Sequence, residues 1–529
     1  MTTRRTLLAL VAAGGLLMAA CGGSDGSTAT TAGGSNTTAA VVDTTGGTAA
    51  PDTTAPSGPK ILRVGRATSI DGWKGDGCLS GASLETYPIV YDTLLRIAPD
   101  GLGPAPSLAN SVEWDAATNS YTIKLRPDLK FSDGSVLDAE DVKFSIEQWK
   151  AGPVSGVFYT TVDSVTIVDP QTLTVKMTGP DSFFPNLLMW CTSTVYPLDF
   201  GGLSEADYFK KPVGAGPFMV DEWRNPGPTE TIVLKPNPNH WAGPGGGSNL
   251  EGIEIRSSLD QSQQLVAFDA GELDLVEVVD PFTAKDLDKS KIVAPVPVPI
   301  TLLGLNVKRD VFADPAVRAA VSQAIDRESL ASLLEGNGQA ATGVLPVNVP
   351  GWSQGTTDYT FDADAARAVL EPLGLSVELV YDSASKTTAA AAEVLGAQLG
   401  DVGVDVKLSA VDNATSIGRA SSGDFDMVIL QLTAISPTIF DPMSSLFGLY
   451  YPWVGADGTV ITDSYFGGTA TFDAAAQKAA VDAMQDDARA QNAILGLYNF
   501  SVVFAVSPRV QGFAPFQYGM YYPDSISMT

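Results

Sequence analysis

The chain has a single histidine, His240, set in the run PNPNHW. A Ser-His-Asp or Cys-His nucleophilic site would depend on it, because a serine or thiol needs a neighbouring base to attack at neutral pH. Ser383-Ala384-Ser385-Lys386 matches the S-x-x-K pattern in which a lysine activates a serine. It lacks a K-T-G partner and falls in a turn between a strand-like and a helix-like run. An exported Ser/Lys hydrolase is the one enzyme reading left, and no catalytic residue is expected. The remaining reactive side chains are three cysteines, Cys21, Cys78 and Cys191. Neither Cys78 nor Cys191 has His or Cys at metal-ligand spacing, so no metal site and no cofactor are expected. A metal carried inside an organic chelate stays open as cargo.

The stretches that must position these groups differ sharply along the chain. Arg4 and Arg5 precede an apolar run from Leu7 to Met18, followed by Ala19, Ala20 and Cys21. That run is shorter than the ~20 residues that span a bilayer, so residues 1–20 read as a signal peptide. The end of the run resembles a bacterial lipobox, in which the cysteine is lipidated and becomes the first mature residue. Met18 stands where such signals more often have Leu. Thr3-Arg4-Arg5 with Leu7-Leu8 leaves the twin-arginine and general export routes both open. Residues 22–58 are Gly, Ser, Thr and Ala with few large apolar side chains. They cannot offset ordering entropy by burial, and they read as a disordered tether with an r.m.s. reach of roughly 30–37 Å. With Cys21 lipidated, an exported chain keeps Cys78 and Cys191, as one disulfide or as two buried thiols.

The 529 residues exceed what one core usually holds, so at least two lobes are expected. The formal charge of -28 argues against nucleic acid or an anionic membrane surface as partner, since both require a basic face. The folded part begins near Ile61, where ILRVGRA alternates as a strand does. Residues 112–177 read as antiparallel hairpins around one helix. Tyr121, Ile123 and Leu125 share a strand face, and Asp169-Pro170-Gln171 is a turn. Asp138 caps the helix, with Asp141 three residues on and Val142, Ile146 and Trp149 along its apolar stripe. Further on, Asp314 and Pro315 open a helix expected to run to Gly336, with Arg318 and Arg327 paired to Asp326 and Glu328. SVELVY, a helix over roughly 388–401, and VDVKLSA form a strand–helix–strand unit, which implies parallel strands. FDMVILQL reads as another strand. The fold class is therefore mixed α/β, with a β-rich part and an α/β lobe.

The run from Pro106 to Trp149 resembles the signature of the family 5 (cluster C) solute-binding proteins of ABC transporters, which bind dipeptides, oligopeptides or nickel. The matching residues are Pro106, Leu108 and Ala109; Thr122, Leu125, Arg126, Phe131, Asp133 and Gly134; and Ala139, Asp141 and Val142. VGAGPFMVDEW, KPNPNHW and LNVKRDVFADPAVRAAVSQAIDRESL follow in the family's order, and the resemblance covers roughly residues 60–529. It implies a two-lobed periplasmic-binding-protein-like fold: lobe I over 59–304 with a β-rich subdomain about 112–225, lobe II over 305–500, and a return to lobe I over 501–529. Two crossing strands form the hinge, near Leu303–Asn306 and 500–510, and ligand sits in the cleft between the lobes. The implied function is capture of a peptide or peptide-like small molecule for ABC permease subunits, by a monomer anchored at the extracytoplasmic face of the cell membrane. An envelope receptor or chaperone on the same fold is the alternative.

The resemblance also implies where ligand would lie. One edge comes from the loop Thr68–Trp73, with Ile70, Asp71 and Trp73. The other comes from the strand at 427–433, ending in Leu432 and Thr433. Family members commonly hold a peptide's α-amine on an aspartate soon after that strand, but here the aligned position carries Ala434 or Ile435. The next acid is Asp441, which either substitutes through a longer loop or serves as a turn residue in Asp441-Pro442. Trp190, Phe440, Trp453 and Tyr518 are the other aromatics that the resemblance places near the cleft, although core packing uses the same side chains.

Overall fold

The computed structural model describes residues 59–75, 81–153, 155–257, 260–278, 284–285, 287–516 and 519–529. Cys21, Cys78 and Tyr518 lie outside the described residues, as do the signal peptide and tether.

Three sheets carry the architecture. The first has seven strands, in the order Ile292–Val293, Val503–Val506, Leu275–Val278, Ile61–Arg66, Gly252–Ser257, Thr231–Pro236, Phe218–Arg224. Ile61–Arg66 lies at its centre, parallel to both neighbours, with Leu62 and Val64 turned inward. The second is a four-stranded antiparallel sheet of Ala109–Asp115, Ser120–Leu125, Thr172–Met177 and Val162–Asp169. Against it lies the expected helix, Ala139–Ala151, closed at its start by a full Asp138/Asp141 capping box. Its Val142, Ile146 and Trp149 are buried together with Tyr121, Ile123 and Leu125. Full burial of an aliphatic or aromatic side chain of this kind contributes about 1.5–3 kcal/mol.

The third sheet has six strands, in the order Gly338–Ala340, Ile494–Phe500, Ile300–Leu305, Met427–Leu432, Ser376–Asp382, Asp405–Val411. The strand–helix–strand unit is present. Ser376–Asp382 and Asp405–Val411 pair in parallel across the helix Lys386–Asp401. Ser385 caps that helix and the Ser383 hydroxyl donates to the Val411 carbonyl at 2.9 Å, so the S-x-x-K serines hold a turn together.

Two sequence expectations are corrected here. The helix opened by Asp314 ends at Ala324, because Ile325 is extended and Asp326 starts a new cap, accepting from the Glu328 and Ser329 amides. Arg318 and Arg327 do not pair with Asp326 and Glu328. Arg318 donates to the carbonyls of Gln491, Phe312 and Ala313, and Arg327 to those of Gly496, Ser322 and Ile325. Both arginines are buried, where carbonyls that the backbone leaves over must find donors.

The chain leaves the seven-stranded sheet after Val293 and enters the six-stranded sheet at Ile300. The first crossing thus falls in 294–299, ahead of Leu303–Asn306, which lie in or just after the lobe II strand. The return crosses between Phe500 and Val503. One apolar cluster fills the seven-stranded sheet's inner face, another lies under the helices of the six-stranded sheet, and a third joins the four-stranded subdomain to that sheet's other face.

Candidate ligand-binding site

The loop after Ile61–Arg66 is pinned from below. Glu230 accepts the Ile70 amide at 2.7 Å on one oxygen and the Trp223 indole N–H at 2.9 Å on the other. Burial raises the Glu230 carboxyl above its ordinary range, against these donors. The Ser257 hydroxyl donates to the Thr68 carbonyl at 3.0 Å. Tyr87 and Tyr91 donate to the carbonyls of Gly72 and Trp73 at 2.6 and 2.7 Å, so these two loop carbonyls already have partners. Asp71 is exposed, and its amide donates to the Ser83 hydroxyl at 3.1 Å. Trp73 packs among Tyr87, Tyr91 and Trp223 in the core of lobe I.

On the other lobe, Met427–Leu432 pairs along its whole length with Ile300–Leu305. On its far side only Met427 and Val428 pair, with Leu379 and Val380. The chain then turns through Thr433 into the segment Ala434–Ser436, which Asp441 holds. The Asp441 carboxylate accepts the amides of Ile435 and Ser436 at 2.5 and 3.0 Å. It is only 4 % exposed, and burial pushes its carboxyl up to about 7 despite those donors. Geometrically Asp441 is a turn residue that fixes the loop. The Ile435 side chain that this loop presents packs against apolar clusters of both lobes.

The remaining candidates are dispersed. Leu432 is buried opposite Ile300 and Thr433 donates to the Ala434 carbonyl. Phe440 fills the space beside Gly468, where a Cβ would collide with its ring, and stands edge-on to Tyr465. Trp453 packs on Tyr450. Trp190 is edge-on to Phe158 and Phe183, under the four-stranded sheet. The indole N–H groups of Trp73 and Trp190 have no acceptor among the described residues. Cys191 is buried and disulfide-bonded. His240 sits 3.5 Å from Asp92, whose carboxylate also accepts from Ser107 and Trp241, so the one histidine is held inside lobe I. Glu230 and the buried Arg66–Glu85 pair, at 2.8 Å, carried no motif that would have singled them out. Among the described residues no cluster of three or more His, Cys, Asp or Glu could hold a metal, and no helix is long and apolar enough to cross a membrane.

Two α/β lobes joined by two crossings, with a loop from one seated against the other, define a two-lobed extracytoplasmic binding protein. The chain belongs to the bacterial extracellular solute-binding proteins, family 5, which it matches over residues 103–455. It is a solute-binding protein of the kind that captures substrate for an ABC importer. It is 26 % identical over 376 residues to the probable D,D-dipeptide-binding periplasmic protein DdpA of Escherichia coli strain K12, covering 68 % of this chain and 70 % of that one. It is 26 % identical over 364 residues to the glutathione-binding protein GsiB of the same strain, covering 65 % and 68 %. NikA from Brucella suis, solved with Fe(III)-EDTA, superposes with a TM-score of 0.78 at 22 % identity over 88 % of this chain and 99 % of its own. DppA from Helicobacter pylori, solved with the peptide STSA, superposes with a TM-score of 0.74 at 19 % identity over 88 % and 98 %. These two likenesses carry the fold.

Proposed function

We propose that this chain captures a peptide or peptide-like small molecule between its lobes and hands it to the permease subunits of an ABC importer. It works as a monomer tethered by a lipidated Cys21 at the extracytoplasmic face of the cell membrane. The observation that carries the ligand reading is that Ala434 or Ile435 stands where peptide-binding relatives are expected to offer an acid, while the next acid, Asp441, is engaged by the Ile435 and Ser436 amides. A ligand ammonium would have to share a buried carboxyl whose Oδ2 already accepts two amides or stay unpaired, and an unpaired buried ammonium costs several kcal/mol. Uncharged or N-blocked ligands are therefore preferred over free dipeptides. The dipeptide, glutathione, peptide and chelate named for the relatives support a peptide-sized, polar cargo.

Calorimetry against a free dipeptide and its N-acetylated form tests this reading. Equal or tighter binding of the acetylated form is expected. Tight binding of the free peptide that acetylation and Asp441→Asn both abolish would overturn it. The anchor has its own test: Cys21→Ser should move the protein from the membrane to the soluble fraction.

A further inference from the structure

The four-stranded subdomain is fastened to lobe I. Leu95 donates to the Leu188 carbonyl at 3.1 Å, the Ala109 amide at the start of the subdomain's first strand to the Leu94 carbonyl at 2.9 Å, and the Asn239 side chain to the Ser132 carbonyl at 3.2 Å. Neither lobe crossing runs through it. Any contact it makes with lobe II must therefore break when the hinge opens.

Besides the apolar cluster that the subdomain shares with lobe II, a hydrogen-bonded contact is present, away from the 434–441 loop. The Ser182 amide and hydroxyl both donate to the Thr469 carbonyl, at 2.8 and 3.0 Å. The Gln477 side-chain amide donates to the Ser182 hydroxyl at 3.0 Å and to the Thr471 carbonyl at 2.9 Å. Beside them the Trp114 and Phe472 rings stack, with centroids 5.3 Å apart and planes 29° apart.

Each side is held rigidly before the two meet. Asp181 accepts the amides of Phe183 and Phe184 and the Thr161 hydroxyl, and its carbonyl accepts from Tyr121, which fixes the turn that presents Ser182. Across the gap, Thr469 ends the helix Thr459–Thr469, and Asp473 caps the next one. The Thr469 carbonyl is one of the last four of its helix, which have no partner inside it; lobe I supplies one. Phe472 remains 48 % exposed, and the ring contact it makes is with Trp114 of the subdomain.

We propose that Ser182, Trp114, Thr469, Phe472 and Gln477 form a closure latch, a ligand-independent bridge from the subdomain to lobe II that biases the free protein toward the closed arrangement. The latch rests on the hinge reading above but not on any ligand. It adds to the closed state a term that is the same for every cargo, so ligand must supply only the remainder of the closing free energy.

Residue-resolved hydrogen exchange on the ligand-free full chain tests it, with small-angle scattering on the same samples. The Ser182 amide is the reporter. Its exchange should be about two- to tenfold faster in Phe472→Ala, the range expected for one lost aromatic stack. It should also speed up in Gln477→Ala. The amides of Ile123 and Leu303, inside the two lobes, should keep their wild-type rates, and the double variant should show a larger radius of gyration. Unchanged Ser182 exchange in both variants would overturn the latch. So would acceleration of Ile123 or Leu303 in step with Ser182, since the side chains would then support the fold instead. Because no ligand is added, a wrong cargo assignment leaves this result unaffected, and a failed latch leaves the cargo assignment standing.

Discussion

Asp441 keeps a proton in the folded chain over a range in which the unfolded chain has lost it, because burial pushes its carboxyl up to about 7. An unfolded aspartate titrates near about 3.9. Between those values folding takes up a proton, so stability falls as pH rises through the window and levels off above about 7. The slope from one such group is at most about 1.4 kcal/mol per pH unit. Asp441→Asn removes the titration yet keeps one oxygen to accept from Ile435 or Ser436. The variant should show a flatter dependence of its thermal midpoint between pH 4 and 7, and at pH 8 a midpoint no lower than wild type. Glu85 and Glu277, raised mainly by burial and sharing Arg66 as a partner, bend the wild-type curve in the same direction, so the difference between the two proteins is the quantity to read. Parallel curves would show that the proton sits elsewhere. The same residue shows what sequence could not resolve: Asp441-Pro442 fits a turn and fits a ligand acid, and it is the two amides at its Oδ2 that favour the turn.

At the scale of elements, periodicity and caps were readable wherever the reason for an element is local. Tyr121, Ile123 and Leu125 alternate because one face of their strand is buried, and Asp138 and Asp141 close a helix with side chains three positions apart. The break at Ile325 was missed because the apolar stripe of Val317, Val321 and Ala324 continues into Ile325 and Leu330, and the second cap at Asp326 is masked within it. The carbonyl partners of Arg318 and Arg327 were not legible either: Gln491 and Gly496 are distant in sequence, and Phe312, Ala313, Ser322 and Ile325 are left over where short helices end. Gly214 and Gly216 mark a close approach of backbones: a Cβ at Gly216 would lie 2.5 Å from the Ile89 carbonyl oxygen. Both atoms are on backbone that cannot step aside, so Gly216→Ala should destabilise by about 1–3 kcal/mol, the usual cost of overpacking. Gly103→Ala, with nothing within 4 Å of its new methyl group, serves as the control and should leave the chemical-denaturation midpoint unchanged.

The seven-stranded and six-stranded sheets each carry an apolar cluster of their own beside the one that the subdomain shares with lobe II, so unfolding need not be one transition. Lobe I contains the disulfide at Cys191, buried against the same cluster as Trp73, Tyr87 and Tyr196. Around it the run from Trp190 to Tyr196 ties the subdomain to the seven-stranded lobe: Thr194 accepts the Trp149 indole, the Tyr196 amide donates to Ser145, and the Tyr196 hydroxyl accepts the Gly75 amide. We propose Cys78 as the partner, from the parity of cysteines left after export. A bridge over so long a stretch of chain restricts the unfolded lobe and contributes roughly 3–5 kcal/mol. Replacing both cysteines, Cys78→Ser with Cys191→Ser, should therefore lower the lobe I transition in scanning calorimetry and leave the lobe II transition in place. That asymmetry distinguishes a constraint on one lobe from a general loss of packing, which would move both. Alkylation of the unfolded, unreduced wild-type protein supplies the chemical check. No thiol should be labelled at Cys78 or Cys191, whereas a labelled Cys78 would assign the Cys191 bond to another sulfur and remove the reason for expecting the shift from the Cys78 half of the variant.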